Sequence, residues 1–416
     1  MKKRLLLFLS IVFLAGLFIN VSAQENKGIQ FHKNESWESI VALAKKENKL
    51  IFMDCYTVWC GPCKALARDV FPQEKVGDFF NPRFINVQYD MEKGDGKMLY
   101  NKYKKYIIGF PTLLLIDQDG KVLQQMAGYQ EPDKLIEGIK NASAGNDLFS
   151  LGERYKKGER DFTFIKAYIS SLQGAFLKDS VTAVANDYLS RIELKELDKD
   201  DVWEVLGPTI KDVNSPAFNY VVQNADRFTY KLHRDRYRIN RQLEGPIHAE
   251  VSRLIRLSKN DQGEYLPLVN DKAQEDKMLN FISRASLNKY NETKAKFFIH
   301  RLLIDGNYPE AWKYITDCAN MGLTGFYSYH LQNYIEYMSA KSNDKKLLKE
   351  MLAKLEEYKL TENDKNPQFS YHMYKTMSVI NSKLGNKKLA EQQAEKYNEL
   401  DAQKRKEMEQ YADYRN

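Results

Sequence analysis

Cys60 and Cys63 are separated by two residues in the 416-residue chain, within Trp59-Cys60-Gly61-Pro62-Cys63-Lys64. An apolar run with strand character, Leu50–Tyr56, precedes them, and Ala65–Val70, which reads as a helix, follows. At a helix start this spacing has a specific use. Cys60, in the first turn, meets free backbone N–H groups and the positive end of the helix dipole. Both stabilise a thiolate and lower its pKa below the ~8.5 of a free cysteine. Cys63, one turn later, lies within bonding reach of Cys60 and is expected to be the more buried, so it acts second. Pro62 gives up an N–H that would go unsatisfied there, and Gly61 lets a partner chain approach. The chemistry is thiol–disulfide exchange: a thiolate attacks a disulfide sulfur, and the resulting mixed disulfide is resolved by a second thiolate.

Other uses of the pair fit less well. A zinc ribbon needs a second Cys-x-x-Cys, and the remaining cysteines, Cys55 and Cys318, do not supply one. Haem attachment needs His after the second cysteine, where Lys64 stands. Cys55 and Cys318 read as buried structural thiols and are not expected to pair with each other. The six histidines are scattered without ligand spacing, and no nucleotide-cradling, metalloprotease or nucleophile-elbow motif is present. No metal and no cofactor is expected. The basic run Lys231–Arg241 reads as a solvated helix face rather than a patch for an acidic partner or lipid.

The elements around the pair can be read from pattern. Trp37, Ile40, Val41 and Ala44 have helical spacing behind Asn34 and Ser36, either of which can cap. Phe84–Tyr89 and Thr112–Ile116 read as further strands. Asp117-Gln118-Asp119-Gly120 is a turn, Lys121–Ala127 returns as a hairpin partner, and Glu131–Lys140 closes as a helix. Strands alternating with helices, then a hairpin and a helix, describe an α/β layer fold with a mixed sheet. Asn141–Asp147 is small, polar and unpatterned, and a domain boundary is expected there, giving domains of residues 24–145 and 146–416.

The second part shows no convincing strand. Phe298, Ile299, Leu302 and Leu303 lead through Asp305-Gly306-Asn307 to Ala311, Trp312 and Ile315. Met373, Met377, Ile380 and Leu384 lead through Gly385-Asn386 to Leu389, Ala390, Ala394 and Tyr397. Phe162–Leu172 and Val181–Ile192 form another pair. Residues 146–416 are expected to be all-helical, as stacked helix pairs in an α-solenoid of the tetratricopeptide kind, with an irregular bundle as the alternative.

Residues 1–23 (MKKRLLLFLSIVFLAGLFINVSA) have a basic start, an apolar run from Leu5 to Ile19 and the small-residue end Val21-Ser22-Ala23. That is the layout of a cleaved secretory signal, with the mature chain expected to begin near Gln24 beyond the cytoplasmic membrane of a bacterium and not to span it. Composition agrees with a folded chain: 43% hydrophobic and 29% charged, with 26 Tyr and 21 Phe against 11 Pro. The formal net charge is +7, three of it from Lys2, Lys3 and Arg4, which gives no basis for nucleic-acid binding.

Trp59–Lys64 between a strand and a helix resembles the active site of the thioredoxin family. Asp54, six residues before Cys60, stands where the family has a buried Asp that assists proton transfer to the second cysteine. Phe110-Pro111-Thr112 matches the family's cis-proline loop, which packs beside the disulfide and pairs with substrate backbone. Gly120 and Gly128 fit the glycines of the last hairpin. The resemblance covers roughly residues 29–140, and with Val70–Gln73 and Val76–Phe84 it is strongest to secreted bacterial thioredoxin-like domains. It implies a thioredoxin fold for residues 24–145 and a thiol–disulfide oxidoreductase with Cys60 as nucleophile, Cys63 as resolving thiol and Asp54 in proton transfer. Trp59, Gly61, Pro62, Lys64, Phe110 and Pro111 would support the site and bind substrate, with Trp59 shielding the disulfide. Two departures stand out. Asn86 occupies the place expected for the family's Lys partner of the buried Asp, and Phe110 is bulky where relatives carry Ile, Thr or Val.

The expected activity is reduction of disulfides in client proteins, with electrons from a membrane relay protein. The alternatives are an oxidase or isomerase, and a helical binding protein for which the thioredoxin-like part is a mount.

Overall fold

A computed structural model describes residues 28–33, 35–323, 328–362 and 367–413. The expected leader 1–23, the start at Gln24 and the candidate cap Asn34 lie outside them. Among the described residues, no helix is long and apolar enough to cross a membrane.

The chain opens with α1 (Trp37–Glu47), capped by Ser36, whose side chain accepts from Ser39 N–H. Then come β1 (Leu50–Tyr56), α2 (Gly61–Ala65), which continues into a π-helical turn over Leu66–Val70, α3 (Glu74–Phe80), β2 (Phe84–Asp90), α4 (Gly94–Tyr103), β3 (Thr112–Ile116), β4 (Val122–Ala127) and α5 (Pro132–Asn141). The sheet order is β2-β1-β3-β4. β1 runs parallel to β2 and antiparallel to β3, and β3 pairs antiparallel with β4. This mixed sheet with flanking helices is the α/β architecture the pattern predicts.

Strand periodicity sorts β1 between two cores. Ile51, Met53 and Cys55 face α1 and α4, packing with Trp37, Ile40, Leu99 and Tyr103. Phe52 lies on the other face with Leu66, Val70, Phe80, Leu113, Leu115 and Leu135, under α2, α3 and α5. Asp54 shares that second face.

The expected boundary segment is not an open linker. Residues Ala142–Asn146 form a π-helical turn broken at Gly145. The chain divides into two compact units after Ile210. The first unit therefore also holds α6 (Leu148–Lys156), α7 (Phe162–Gly174), α8 (Lys178–Leu189) and α9 (Asp200–Leu206). Helices α6 and α7 pack on β4, covering what would be an exposed sheet edge. The buried Gln124 of β4 accepts from Leu148 N–H (2.8 Å) and from Ser171 Oγ (3.2 Å), and Phe149 packs its ring on Tyr106.

The second unit is helical: α10 (Pro216–Gln223), α11 (Ala225–Tyr230), α12 (Arg236–Leu254), α13 (Lys272–Arg284), α14 (Tyr290–Ile304), α15 (Tyr308–Asn320), α16 (Ser328–Lys341), α17 (Lys345–Glu362), α18 (Pro367–Leu384) and α19 (Lys387–Asp413). The two Gly-Asn turns fall where the sequence puts them. Met373, Met377 and Ile380 are buried with Ile299, Trp312, Ile335 and Leu348. Phe298, expected on that stripe, is instead half-exposed and packs its ring on Tyr314. The basic run is only partly a solvated face. Arg236 is ion-paired to Asp226 and donates to Ala285 O, and the Arg234 guanidinium lies over the Phe228 ring.

Gln124→Met should lower stability to urea by about 1–3 kcal/mol, because it strips the acceptor from a buried N–H at the start of α6. An unchanged unfolding midpoint would show that this bond does not tie α6 to the sheet.

Candidate active site

Cys60 and Cys63 are joined as a disulfide, with Cα atoms 5.3 Å apart. Cys60 is the N-cap of α2. Its Sγ accepts from the Cys63 N–H at 3.1 Å, its carbonyl accepts from Lys64 N–H, and its own N–H donates to Thr57 O. In the reduced protein that same Cys63 N–H is placed to stabilise a Cys60 thiolate. Pro62 occupies the first turn, as expected. Gly61, Pro62 and Lys64 are exposed, and a side chain at 61 would meet nothing within 4 Å, so the approach to the disulfide is open on that side.

The expected difference in burial between the two cysteines is absent: Cys60 is 3% exposed and Cys63 5%. The Trp59 ring meets the Phe110 ring edge to face, with centroids 6.0 Å apart, beside Cys60, and is itself held by a bond from its Nε1 to Glu92 Oε1 (3.0 Å). Trp59 remains 64% exposed. Tyr100 packs against Phe110 from α4.

The Phe110–Pro111 peptide is cis, and Pro111 is buried at the entry to β3. β1 and β3 pair through Cys55 and Thr112, and this brings the 110–111 turn alongside the Trp59–Cys60 segment. On its other side, Pro111 O accepts from Gly128 N–H at 2.8 Å. Gly128 has φ 73°, a left-handed conformation that suits glycine.

Asp54 lies on the sheet face that packs under α2, almost fully buried. Its Oδ2 accepts from Gln88 Nε2 at 2.8 Å, and Oδ1 has no hydrogen-bond partner among the described residues. Burial raises its pKa to about 7, only partly opposed by the Gln88 bond. The residue facing Asp54 across β2 is Gln88, not Asn86. Asn86 pairs in register with Phe52, and its Nδ2 donates to Asn81 Oδ1. Among the described residues, no cation shifts the Asp54 carboxyl.

Cys55 and Cys318 are free and buried, and burial pushes the Cys55 thiol well above its ordinary value. Among the described residues, no three His, Cys, Asp or Glu side chains converge as metal ligands would.

Residues 37–143 match the family model of a thioredoxin-like domain. A protein disulfide-isomerase of Datisca glomerata is 27% identical over 139 residues, 33% of this chain and 26% of that protein. The thiol:disulfide interchange protein DsbD of Pasteurella multocida is 26% identical over 111 residues, 26% of this chain and 19% of that protein. The chain thus spans about a quarter or less of the length of these relatives. The solution structure of a candidate disulphide-isomerase from Bacteroides thetaiotaomicron is 40% identical, covering 28% of this chain and 93% of that one, with a TM-score of 0.26.

The raised Asp54 pKa has a consequence for stability. The unfolded chain ionises this group near 3.8, the folded protein near 7. Between those values the folded form holds the extra proton, so stability falls as pH rises from about 4 to about 7 and is level above. Asp54→Asn should remove that slope in the disulfide form. It should be more stable than the parent by up to roughly 4 kcal/mol at pH 8, with the gain vanishing below pH 4. Urea unfolding at the two pH values checks this, and a pH-independent difference would mean that Asp54 ionises normally.

Proposed function

Because residues 37–143 make this chain a member of the thioredoxin family, we propose that it is a protein thiol–disulfide oxidoreductase acting as a reductase of client disulfides. The observation that carries the reading is the Cys60–Cys63 disulfide at the head of α2, on the sheet face that buries an Asp54 poised near neutral pH.

The reaction divides into two displacements. The Cys60 thiolate attacks a sulfur of the client disulfide, forms the mixed disulfide and expels a client thiolate, which takes a proton from water. Cys63 then loses its proton and attacks Cys60 Sγ. This releases the second client thiolate and closes the Cys60–Cys63 disulfide, so two electrons have passed to the client. Asp54, with an unpartnered oxygen and a pKa near 7, is suited to take up the Cys63 proton and return it when the pair is re-reduced. Phe110 and Pro111 align client backbone beside the sulfurs, and Trp59 keeps water from the mixed disulfide.

The Cys-Gly-Pro-Cys sequence supports the reducing direction, since thioredoxin itself works near −270 mV. The composition of residues 1–23 supports action beyond the cytoplasmic membrane, where reducing power has to come from a membrane electron relay. The helical residues 146–416 recruit clients or partners. Packing of α16 on α18 and of α15 on α17, each skipping one helix, supports stacked helix pairs there. A second reading, isomerase, draws on the relatives named protein disulfide-isomerase.

Equilibration of the mature protein with dithiothreitol or glutathione should give a Cys60–Cys63 potential near −250 mV or lower. A value near −180 mV or higher would replace the reductase reading with isomerase or oxidase. Cys63→Ser should accumulate the client mixed disulfide, whereas Cys60→Ser should lose turnover entirely. Turnover by Cys60→Ser would remove Cys60 as the nucleophile.

A further inference from the structure

Helix α7 ends in a turn where Phe176 N–H donates to Gln173 O and Leu177 N–H to Leu172 O. This closing motif calls for a left-handed residue at its bend, and Phe176 supplies it at φ 57°. Other helices of the chain make the same closure on glycine, at 158, 306, 322 and 385, and on the small polar residues Asn48 and Ser286. Of the five described non-glycine residues with positive φ, Phe176 is the one large apolar side chain. A bulky residue in this conformation is strained, and strain of this kind persists where the side chain has a use.

The ring is placed with care. Gln125 of β4 donates to Ala175 O, and Ser171 donates to Gln124 Oε1, so the end of α7 is pinned to the sheet edge. Two ring carbons of Phe176 lie 2.8 Å from where a Cβ at Gly128 would stand. Gly128 in turn donates to Pro111 O. The sequence of neighbours is therefore Phe176, Gly128, Pro111, Phe110, Trp59, Cys60. Phe176 is nonetheless 52% exposed, and Tyr129 beside it is also exposed. Burial does not account for an aromatic ring held in a strained backbone with half its surface in water. A groove of about 700 Å³ opens next to it between β4, α5 and α7.

We propose that Phe176 is a specificity-determining residue of the exchange site: it forms the far wall of the client-binding surface, across the 110–111 turn from Trp59. It selects clients whose cysteine is flanked, a few residues away, by an aromatic or large aliphatic side chain. Such segments are exposed in unfolded proteins and absent from small hydrophilic disulfides. The inference rests on the oxidoreductase reading, and it gives part of the helical extension, within the first compact unit, a direct place at the site.

The test uses the full mature protein, re-reduced in each cycle by dithiothreitol with the uncatalysed rate subtracted, and two synthetic peptides each bearing a glutathione mixed disulfide on its cysteine. One carries Phe and Leu flanking the cysteine and the other carries Ser. Phe176→Gly suits the left-handed bend, so the fold is expected to survive and thermal melting to stay at or above that of the parent. KM for the apolar peptide should rise about tenfold, while kcat, the serine peptide and the Cys60–Cys63 potential stay unchanged. Phe176→Tyr should restore the apolar KM to within about twofold. Unchanged KM for both peptides, or an equal rise for both, would overturn the proposal. A parent protein that exchanges with neither peptide nor with glutathione disulfide would instead bring down the oxidoreductase reading, and this inference with it.

Discussion

A carboxyl group buried on an apolar sheet face is the constraint on which the rest of the site depends. Among the described residues, Asp54 has one neutral hydrogen-bond donor, Gln88, and no cation beside it, so its charged form is disfavoured until the pH approaches 7. An apolar residue would fit this face better for stability alone. The surrounding structure compensates with two dense side-chain clusters on either side of β1, anchored by Phe52 and Phe80 on one face and by Trp37 and Leu99 on the other. That surplus packing lets a carboxyl group with a pKa near 7 remain on the sheet face under α2.

The same strand separates two kinds of thiol. Cys55 follows Asp54 in sequence and lies five residues before Cys60, yet the pleat turns it to the opposite face, among Trp37, Ile85 and Leu114. There burial, reinforced by the neighbouring Asp54 carboxylate, keeps it protonated. A thiol that forms no thiolate neither attacks a client nor diverts the mixed disulfide. Exchange is thereby confined to the pair at the head of α2.

How much of this was legible in the sequence follows from the range over which each feature is determined. The Cys60–Cys63 spacing, the strand at 50–56, the strand at 112–116 and the turn at 117–120 are local, and the structure places each where its residues predict. Gln88 as the partner of Asp54 was not legible, because it depends on the register of β1 against β2, set by packing between residues 34 apart in sequence. The edge-to-face meeting of Trp59 with Phe110 was not legible either, because it forms only when β1 and β3 pair. The composition break at 141–147 is real as a change of pattern. It does not end the first compact unit, because the edge strand β4 needs α6 and α7 to cover it. The amphipathic pattern of those helices shows that they bury a face but not against what.

Covering β4 also explains why the unit carries helices beyond those that flank the sheet on both sides. An uncovered edge strand would offer its free N–H and C=O groups to any extended chain that met it. Gln124 and Gln125 are buried on β4, where polar residues are unusual, and both are spent on α6 and α7 through Leu148 N–H, Ser171 Oγ and Ala175 O. The edge is closed by side-chain bonds as well as by apolar packing.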